Sequence, residues 1–261
     1  MRSAIPLYDA IAQEYADGFF DVPHRRAYDL LAWEFVSGLL PSRPGLIVDA
    51  GCGIGRWADR LLAPGHRLIG IEPATEMIKV LRRKNYGSEF TIIAEEMETA
   101  SIEPESADLV LAMGSVQYTR DPAAAIQRFA SWTKDGGAVC VLVDSFVAMV
   151  LELLHCGKRT EALERLGTRR GVWRQSDKEA DLHLLDRRTL ESCFAAAGLT
   201  DVRCKGLLVT SCAWGLAKCK EAIETDEAGV LDLERQLSEY DTLADVGKHI
   251  IVSGRRSKVR R

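Results

Sequence analysis

No apolar run in this chain approaches the roughly 20 residues that a helix needs to cross a bilayer; the longest, at 138–143 and 147–151, are short. The opening MRSAIPLYDA lacks the apolar stretch of a secretory leader, so the chain is expected to be cytoplasmic and away from membranes. There is no CxxC pair among its seven cysteines, and their number is odd. Cys140, in AVCVLV, is typical in lying within an apolar run. Reduced, buried thiols are expected, rather than disulfides or a zinc site. Positive charge is not in excess either: 34 Lys and Arg face 38 Asp and Glu, a net charge of −4, which disfavours a nucleic-acid-binding surface. No repeat and no low-complexity segment interrupts the chain, and GRRSKVRR at the C-terminus is the one run of like charge, read as a solvated tail.

What remains is a globular composition, 47% hydrophobic and 28% charged over 261 residues, which an α/β fold can use as one domain. Short runs rich in Val, Ile and Leu alternate with helical spacing. LIVDAG (46–51), RLIGIE (67–72), FTIIAE (90–95), ADLVLAMG (107–114) and AVCVLVDS (138–145) read as strands, the last introduced by a turn at KDGG (134–137). IGRWADRLLA (54–63), PATEMIKVLRRKN (73–85) and DPAAAIQRFASWTK (121–134) read as helices, the third opened by an Asp cap and a first-turn Pro. Strands apolar throughout are buried on both faces, which implies a parallel sheet covered by helices with right-handed crossovers. Residues 1–42 read as two helices, and 146–200 as mostly helical, with 185–199 ending at Gly198. DVRCKGLLVT (201–210) and KHIIVSGR (248–255) add two more strands, and 231–240 an amphipathic helix.

VDAGCGIGRW is the most informative segment. A strand ends at Asp49, and Gly51, Gly53 and Gly55 follow before a helix. Glycine lets the backbone turn sharply and approach a ligand closely, and the loop lies at the carboxyl end of a strand, where open α/β sheets bind ligands. A dinucleotide site of the form GxGxxG needs glycine at position 56, where Arg56 stands, which argues against a nicotinamide-linked oxidoreductase. Asp49 would repel a pyrophosphate and attract an ammonium group. Glu72, ending the next strand, is placed to accept hydrogen bonds from two ribose hydroxyls. Glu96 and the Met97 N–H follow the third strand, where an adenine ring would lie. These features describe a nucleoside site with a cationic amino-acid end and no phosphate.

The ordered set VDAGCGIGRWADRL, RLIGIEPATEMI, IIAEEME and SADLVLAMGSVQYTRDPAAAIQRFASWTKDGGAVCVLVDS resembles the class I S-adenosylmethionine-dependent methyltransferases, and YDAIAQEYAD resembles the opening of their small-molecule branch, the type 11/25 families. The resemblance covers residues 8–145 well and the rest in element order only. It implies a doubly wound, seven-stranded, mostly parallel sheet in a single α/β domain. Residues 1–43 are then N-terminal lid helices, 44–145 the cofactor-binding core, 146–185 an inserted helical cap over the acceptor, and 186–261 the C-terminal part of the core. It implies S-adenosyl-L-methionine as cofactor and S-adenosyl-L-homocysteine as product. Gly51, Gly53 and the backbone near Ala50 pass under the methionine portion, Glu72 binds the ribose, and Pro73 and Met77 flank the adenine. Glu96 and Met97 meet the adenine edge, Met113, Gly114 and Ser115 line the site, and Tyr15, with Tyr8, closes over the methionine portion. Asp49 belongs to the same set. Many relatives carry His where Tyr118 falls, and the Asn/Asp-Pro-Pro-Tyr of amino-methylating nucleic-acid enzymes is replaced by Met-Gly-Ser-Val.

Methyl transfer from a sulfonium is an in-line displacement in which alignment contributes roughly 7–11 kcal/mol, and a hydroxyl or protonated amine acceptor also needs a base. Of the five histidines, His183 and His24 are the favoured candidates, with His155 also near the expected acceptor mouth; His66 and His249 read as structural. Phe146, Met149 and Trp173 suggest a partly apolar acceptor pocket. A small-molecule O- or N-methyltransferase, monomeric or homodimeric and without a metal, is the reading these observations favour. Methylation of RNA or protein, or cofactor binding without catalysis, are the alternatives.

Overall fold

The structure is a computed structural model that describes residues 1–175 and 177–257. Residues 258–261 of the basic C-terminal run lie outside the described residues. The chain opens with α1 (Ile5–Gly18) and α2 (Pro23–Ser37). Then follow β1 (Leu46–Ala50), α3 (Ala58–Leu62), β2 (Arg67–Ile71), α4 (Thr75–Arg82), β3 (Phe90–Ile93), β4 (Ala107–Met113), α5 (Pro122–Trp132) and β5 (Thr133–Asp144). An insertion comprises α6 (Phe146–His155), α7 (Arg159–Thr168) and the strands β6 (Arg170–Gln175) and β7 (Lys178–His183). α8 (Arg187–Ala196), β8 (Leu199–Leu207), α9 (Val209–Trp214), α10 (Leu216–Thr225), α11 (Glu227–Ser238) and β9 (His249–Arg256) complete it.

Seven strands form one sheet in the order β3-β2-β1-β4-β5-β9-β8, parallel except for β9, which runs antiparallel to both neighbours. Helices cover both faces because neighbouring residues of each central strand are apolar. Val48, Val110, Val139 and Val141 face Ile126 and Phe129 of α5 and Phe194 of α8. Ile47, Leu109, Leu111 and Cys140 face Leu31 and Val36 of α2, Leu61 of α3 and Ile223 of α10. Each large apolar side chain fully buried in this way contributes about 1.5–3 kcal/mol. Helix starts follow local chemistry: Asp121 accepts from the N–H groups of Ala123 (2.9 Å) and Ala124 (3.1 Å), ahead of Pro122. β1 adjoins β2 on one side and β4 on the other, so the chain reverses direction across the sheet there. The crevice at the carboxyl ends of β1 and β4 is where such a sheet binds ligands.

Three local expectations are corrected. The insertion is not wholly helical, since β6 and β7 form an antiparallel hairpin. Period-two burial drives it: Ala180 and Leu182 point inward while Glu179 and Asp181 pair with Arg2 outside. The KDGG segment is not a turn before the strand but part of β5, which carries an irregularity opposite Ala107 and Leu109, with Gly136 at φ +76°. α3 begins only at Ala58, because Gly51, Gly53 and Gly55 all hold positive φ and keep the preceding loop in turns.

Candidate functional site

Where β1 ends, Gly51 N–H (2.8 Å) and Cys52 N–H (3.1 Å) donate to the Ile71 carbonyl at the end of β2, fixing the glycine loop to the carboxyl edge of the sheet. Gly51 sits at φ +84°, and a Cβ placed there would fall 2.3 Å from Ser115 Cβ. Ser115 follows β4, and its hydroxyl donates to the Ala50 carbonyl at 2.5 Å. The loops after β1 and β4 are thereby locked together. At Gly53, with φ +54°, an added Cβ would meet nothing within 4 Å, so the bare face of this residue looks into open space.

Glu72 ties this loop to the next helix. Its Oε2 accepts from the Gly53 N–H at 2.9 Å and its Oε1 from the Ala74 N–H at 2.8 Å. The residue is 7% exposed, and burial raises its pKa while the two N–H groups oppose the rise. Each carboxylate oxygen keeps a further acceptor site. Asp49 is 6% exposed and is pushed up to about 7 by burial, against the pull of Arg56 and with a small addition from Glu72. Arg56 lines the space in front of the loop, but its guanidinium is engaged by neighbouring side chains. It donates to Tyr28 Oη (2.9 Å), lies 3.3 Å from Asp29 Oδ1 and packs over the Phe19 ring at 4.6 Å.

A cavity of about 680 Å³ opens from these residues. It is lined by Asp49, Gly51, Gly53, Glu72, Pro73, Met77, Glu96 and Met97, and also by Met113, Gly114, Ser115 and Tyr15. Ala50 is fully buried behind the wall. α1 roofs the cavity: Leu7 and Ile11 pack on Met77, Asp9 Oδ1 accepts from the Glu76 N–H (2.8 Å), and the Asp181 N–H of the hairpin donates to the Arg2 carbonyl (3.2 Å). Tyr8 of α1, Tyr118 after β4 and Trp173 of β6 meet edge to face or tilted, with ring centres 5.1–6.3 Å apart. Burial keeps the Tyr8, Tyr15 and Tyr118 hydroxyls protonated, well above the ordinary range.

The histidines sort differently from the sequence expectation. His24 lines the cavity, but burial, helped by Lys248 and Lys220, lowers it to about 3, a very weak base. His183 is not among the lining residues. Its Nε2 lies 2.8 Å from the Arg170 guanidinium on the hairpin, a consequence of the β6–β7 register, and burial and Arg170 both lower its pKa. His155 turns to the Cys212 carbonyl at 3.0 Å, and His66 accepts from the Gly45 N–H at 3.1 Å. Met149 and Trp173 do line the cavity, whereas Phe146 lies under Arg169, 4.2 Å from its guanidinium.

Sequence reasoning did not single out Asp144 and read His249 as structural. They end β5 and begin β9, and the antiparallel register sets them directly opposite each other at the cavity wall. Asp144 Oδ2 accepts from Gln117 Nε2 at 2.7 Å, and Oδ1 lies 3.1 Å from His249 Nδ1. Burial would raise this carboxyl, but His249, Lys248 and Gln117 outweigh it and hold it at about 2. With the two residues 105 positions apart in the chain, no linear pattern signals the pair.

Among the described residues no group of His, Cys, Asp and Glu is arranged to hold a metal ion, and no helix is long and apolar enough to cross a membrane. Residues 48–141 match the model of a family described as a methyltransferase domain. The ubiquinone biosynthesis O-methyltransferase of Xanthomonas euvesicatoria pv. vesicatoria is 28% identical over 141 residues, which are 52% of this chain and 58% of that protein. The chain thus matches little more than half the length of such a relative. Among solved structures, a SAM-dependent methyltransferase of Thermotoga maritima, a possible histamine N-methyltransferase, superposes with a TM-score of 0.63 at 19% identity, covering 97% of this chain and 99% of that one. The Haemonchus contortus phosphoethanolamine N-methyltransferase 2, in complex with S-adenosyl-L-methionine, gives 0.57 at 18% identity over 87% of this chain and 52% of that one.

Proposed function

We propose that this chain, a member of the class I S-adenosylmethionine-dependent methyltransferases, moves a methyl group to an oxygen or nitrogen of a small-molecule acceptor. The observation that carries the reading is the pair of buried carboxylates, Asp49 and Glu72, on either side of a glycine loop whose neighbouring cation, Arg56, is spent on Tyr28 and Asp29. A diphosphate would be repelled there, while an ammonium group and ribose hydroxyls are the partners two such carboxylates accept.

The fit extends around the loop. The open face of Gly53 gives room for the methionine portion, with Gly51 and the Ala50 backbone beneath it. Asp49 takes the ammonium group and Glu72 the ribose. Pro73 and Met77 flank the adenine, and Glu96 with the Met97 N–H meets its edge. Met113, Gly114 and Ser115 form the wall beside the sulfonium, and Tyr15 closes the roof with Tyr8. The cofactor supplies an electrophilic methyl group: the acceptor's lone pair forms the new bond to carbon as the carbon–sulfur pair leaves on sulfur, giving S-adenosyl-L-homocysteine. The protein's part is to align the acceptor and keep water out, worth roughly 7–11 kcal/mol.

The roof of α1 and the cap favours a small acceptor over RNA or protein, because a cavity of about 680 Å³ beneath it has the size of a small-molecule site. Oxygen is supported by the O-methyltransferase activity named for the Xanthomonas relative. Incubation with labelled S-adenosylmethionine and a metabolite extract is expected to label a small product. Label confined to RNA or protein would overturn the choice of acceptor. Calorimetric uptake of NADH with no heat from S-adenosylhomocysteine would overturn the cofactor.

A further inference from the structure

Three groups of polar side chains lie away from the cofactor end. Glu234 is fully satisfied by the Val209 and Thr210 N–H groups and the Thr210 hydroxyl, and serves to hold α9. The ladder of Glu161, Arg165, Arg174, Glu179 and Arg2, three of whose members line the cavity, is internally paired. The wall of the acceptor end is different, because it holds a buried histidine with an unmet hydrogen-bonding demand.

His249 is 8% exposed, and neither ring nitrogen makes a hydrogen bond of good geometry among the described residues. Nδ1 is turned to Asp144 Oδ1, which leaves Nε2 without a partner in the cavity wall. A buried polar atom left unmet is costly, about 1–3 kcal/mol, unless something that enters the cavity satisfies it. The ring is held in place by Tyr28, with ring centres 4.4 Å apart, and by the cross-strand register. Asp144 is fixed in turn by a two-way bond with Gln117: it accepts from Nε2 at 2.7 Å, and its own N–H donates to Oε1 at 2.8 Å.

We propose that His249 is the general base of the transfer, oriented by Asp144, and that the acceptor is an aromatic hydroxyl. This rests on the methyltransferase reading above and deepens it. As the hydroxyl oxygen bonds to the methyl carbon, its O–H bond breaks and the proton passes to His249 Nε2 and then to solvent, while the carbon–sulfur electron pair stays on sulfur. Asp144 is a positioning residue that fixes the ring with Nε2 free and balances the imidazolium charge. The remaining groups around the ring are unsuited to the task. From α2, His24 is a very weak base and Tyr28 accepts from Arg56; from α6, Glu152 is paired with Lys248, which precedes β9 and neighbours Cys212 of α9; Lys220 of α10 bears on His24. The aromatic acceptor follows from the lining of the same cavity, which includes Tyr8, Tyr118 and Trp173 with Leu142 and Met149.

The test uses the full chain with S-adenosylmethionine and two probe sets, simple phenols and catechols and the matching anilines, alongside calorimetry with S-adenosylhomocysteine. Phenols are methylated in preference to anilines by the wild type. His249→Ala lowers kcat about 10²–10³-fold with KM, S-adenosylhomocysteine affinity and melting temperature little changed, and added imidazole restores part of the rate. Asp144→Asn lowers kcat by a smaller factor, with KM and S-adenosylhomocysteine affinity little changed, as expected of a residue that only orients the ring. Full kcat in His249→Ala and His249→Gln, aniline preference, or a wild type that binds S-adenosylhomocysteine yet methylates no phenol each overturns the proposal. Absence of S-adenosylhomocysteine binding in the wild type would instead overturn the underlying methyltransferase reading, and this proposal with it.

Discussion

Replacing Gly51 and Gly53 in turn by alanine separates what the loop does for the fold from what it does for a ligand. Both glycines hold positive φ, +84° and +54°, and a non-glycine residue in that region costs about 1–2 kcal/mol. At Gly53 that is the whole expected loss, because the new Cβ meets no atom within 4 Å. At Gly51 the new Cβ would lie 2.3 Å from Ser115 Cβ and 2.7 Å from its Oγ, so Ser115 must move and its bond to the Ala50 carbonyl breaks. A lost hydrogen bond of about 1 kcal/mol and overpacking of about 1–3 kcal/mol then add to the backbone strain, for a total of about 3–6 kcal/mol. Urea denaturation should therefore place Gly51→Ala about 2–4 kcal/mol below Gly53→Ala. Calorimetry should show the converse separation. Gly53→Ala stays folded but loses S-adenosylhomocysteine affinity at least tenfold, since its methyl group occupies the space meant for the methionine portion. Equal stability of the two variants would refute the account of the Ser115 lock. Wild-type affinity in Gly53→Ala would refute the account of the cradle.

Burial raises Asp49 to about 7 from an ordinary 3.8, with Arg56 opposing, so the folded protein keeps a proton that the unfolded chain has released. Its contribution is then favourable below pH ~4 and is lost as pH rises through ~7, a fall on the order of 4 kcal/mol that denaturant titrations at pH 4 and 8 should show and Asp49→Asn should abolish. Because an ammonium group favours the ionised carboxylate, S-adenosylhomocysteine binding near pH 6 should release a proton, seen as a buffer-dependent heat in calorimetry. Asp29 is fully buried and accepts from Trp57 Nε1 (2.7 Å) and Arg60 (2.8 Å) beside Arg56; Asp29→Ala leaves Arg56 without its counter-charge and should cost about 3–5 kcal/mol in denaturation. Glu72→Gln turns one acceptor toward a donor, the Gly53 or Ala74 N–H, and should weaken S-adenosylhomocysteine binding more than tenfold with a smaller change in melting temperature.

The cofactor half of this molecule was legible because its chemistry is local. Strands buried on both faces read as unbroken apolar runs, and the acid, the glycines and Glu72 lie at successive strand ends, so their spacing in the chain follows their spacing in space. The acceptor half was not, and for two physical reasons. The β6–β7 hairpin hides its period-two burial within Lys, Glu and Ala, residues that favour helices, and the pattern becomes plain only once Ala180 and Leu182 have a neighbour to pack on. The Asp144–His249 pair exists only because β9 enters the sheet antiparallel beside β5. A histidine at the start of a last strand gives no sign of which edge it will occupy. His24, read from the sequence as a candidate base in the N-terminal lid, does line the cavity, but burial strips it of basicity, an effect its sequence neighbours do not disclose.

The two ends of the cavity follow opposite electrostatic rules, and this gives the site its direction. At the glycine loop burial raises both carboxylates, Asp49 against the pull of Arg56 and Glu72 against two N–H groups, so each gains from a ligand that brings a cation or hydroxyl donors. At the β5–β9 edge Asp144 is held low, already compensated by His249, Lys248 and Gln117, and has little to gain from an added cation. On the reading proposed above, a ligand with a positive amino-acid end and a nucleoside takes the β1–β2 side, and the acceptor is left the β5–β9 side. The wall formed by Met113, Gly114 and Ser115 lies between them, at the strand end where the chain reverses across the sheet. In the proposed reaction the reacting atoms meet along that wall. A cation-selective acceptor end would require Asp144 to be raised by burial as Asp49 is, and the register with His249 prevents it.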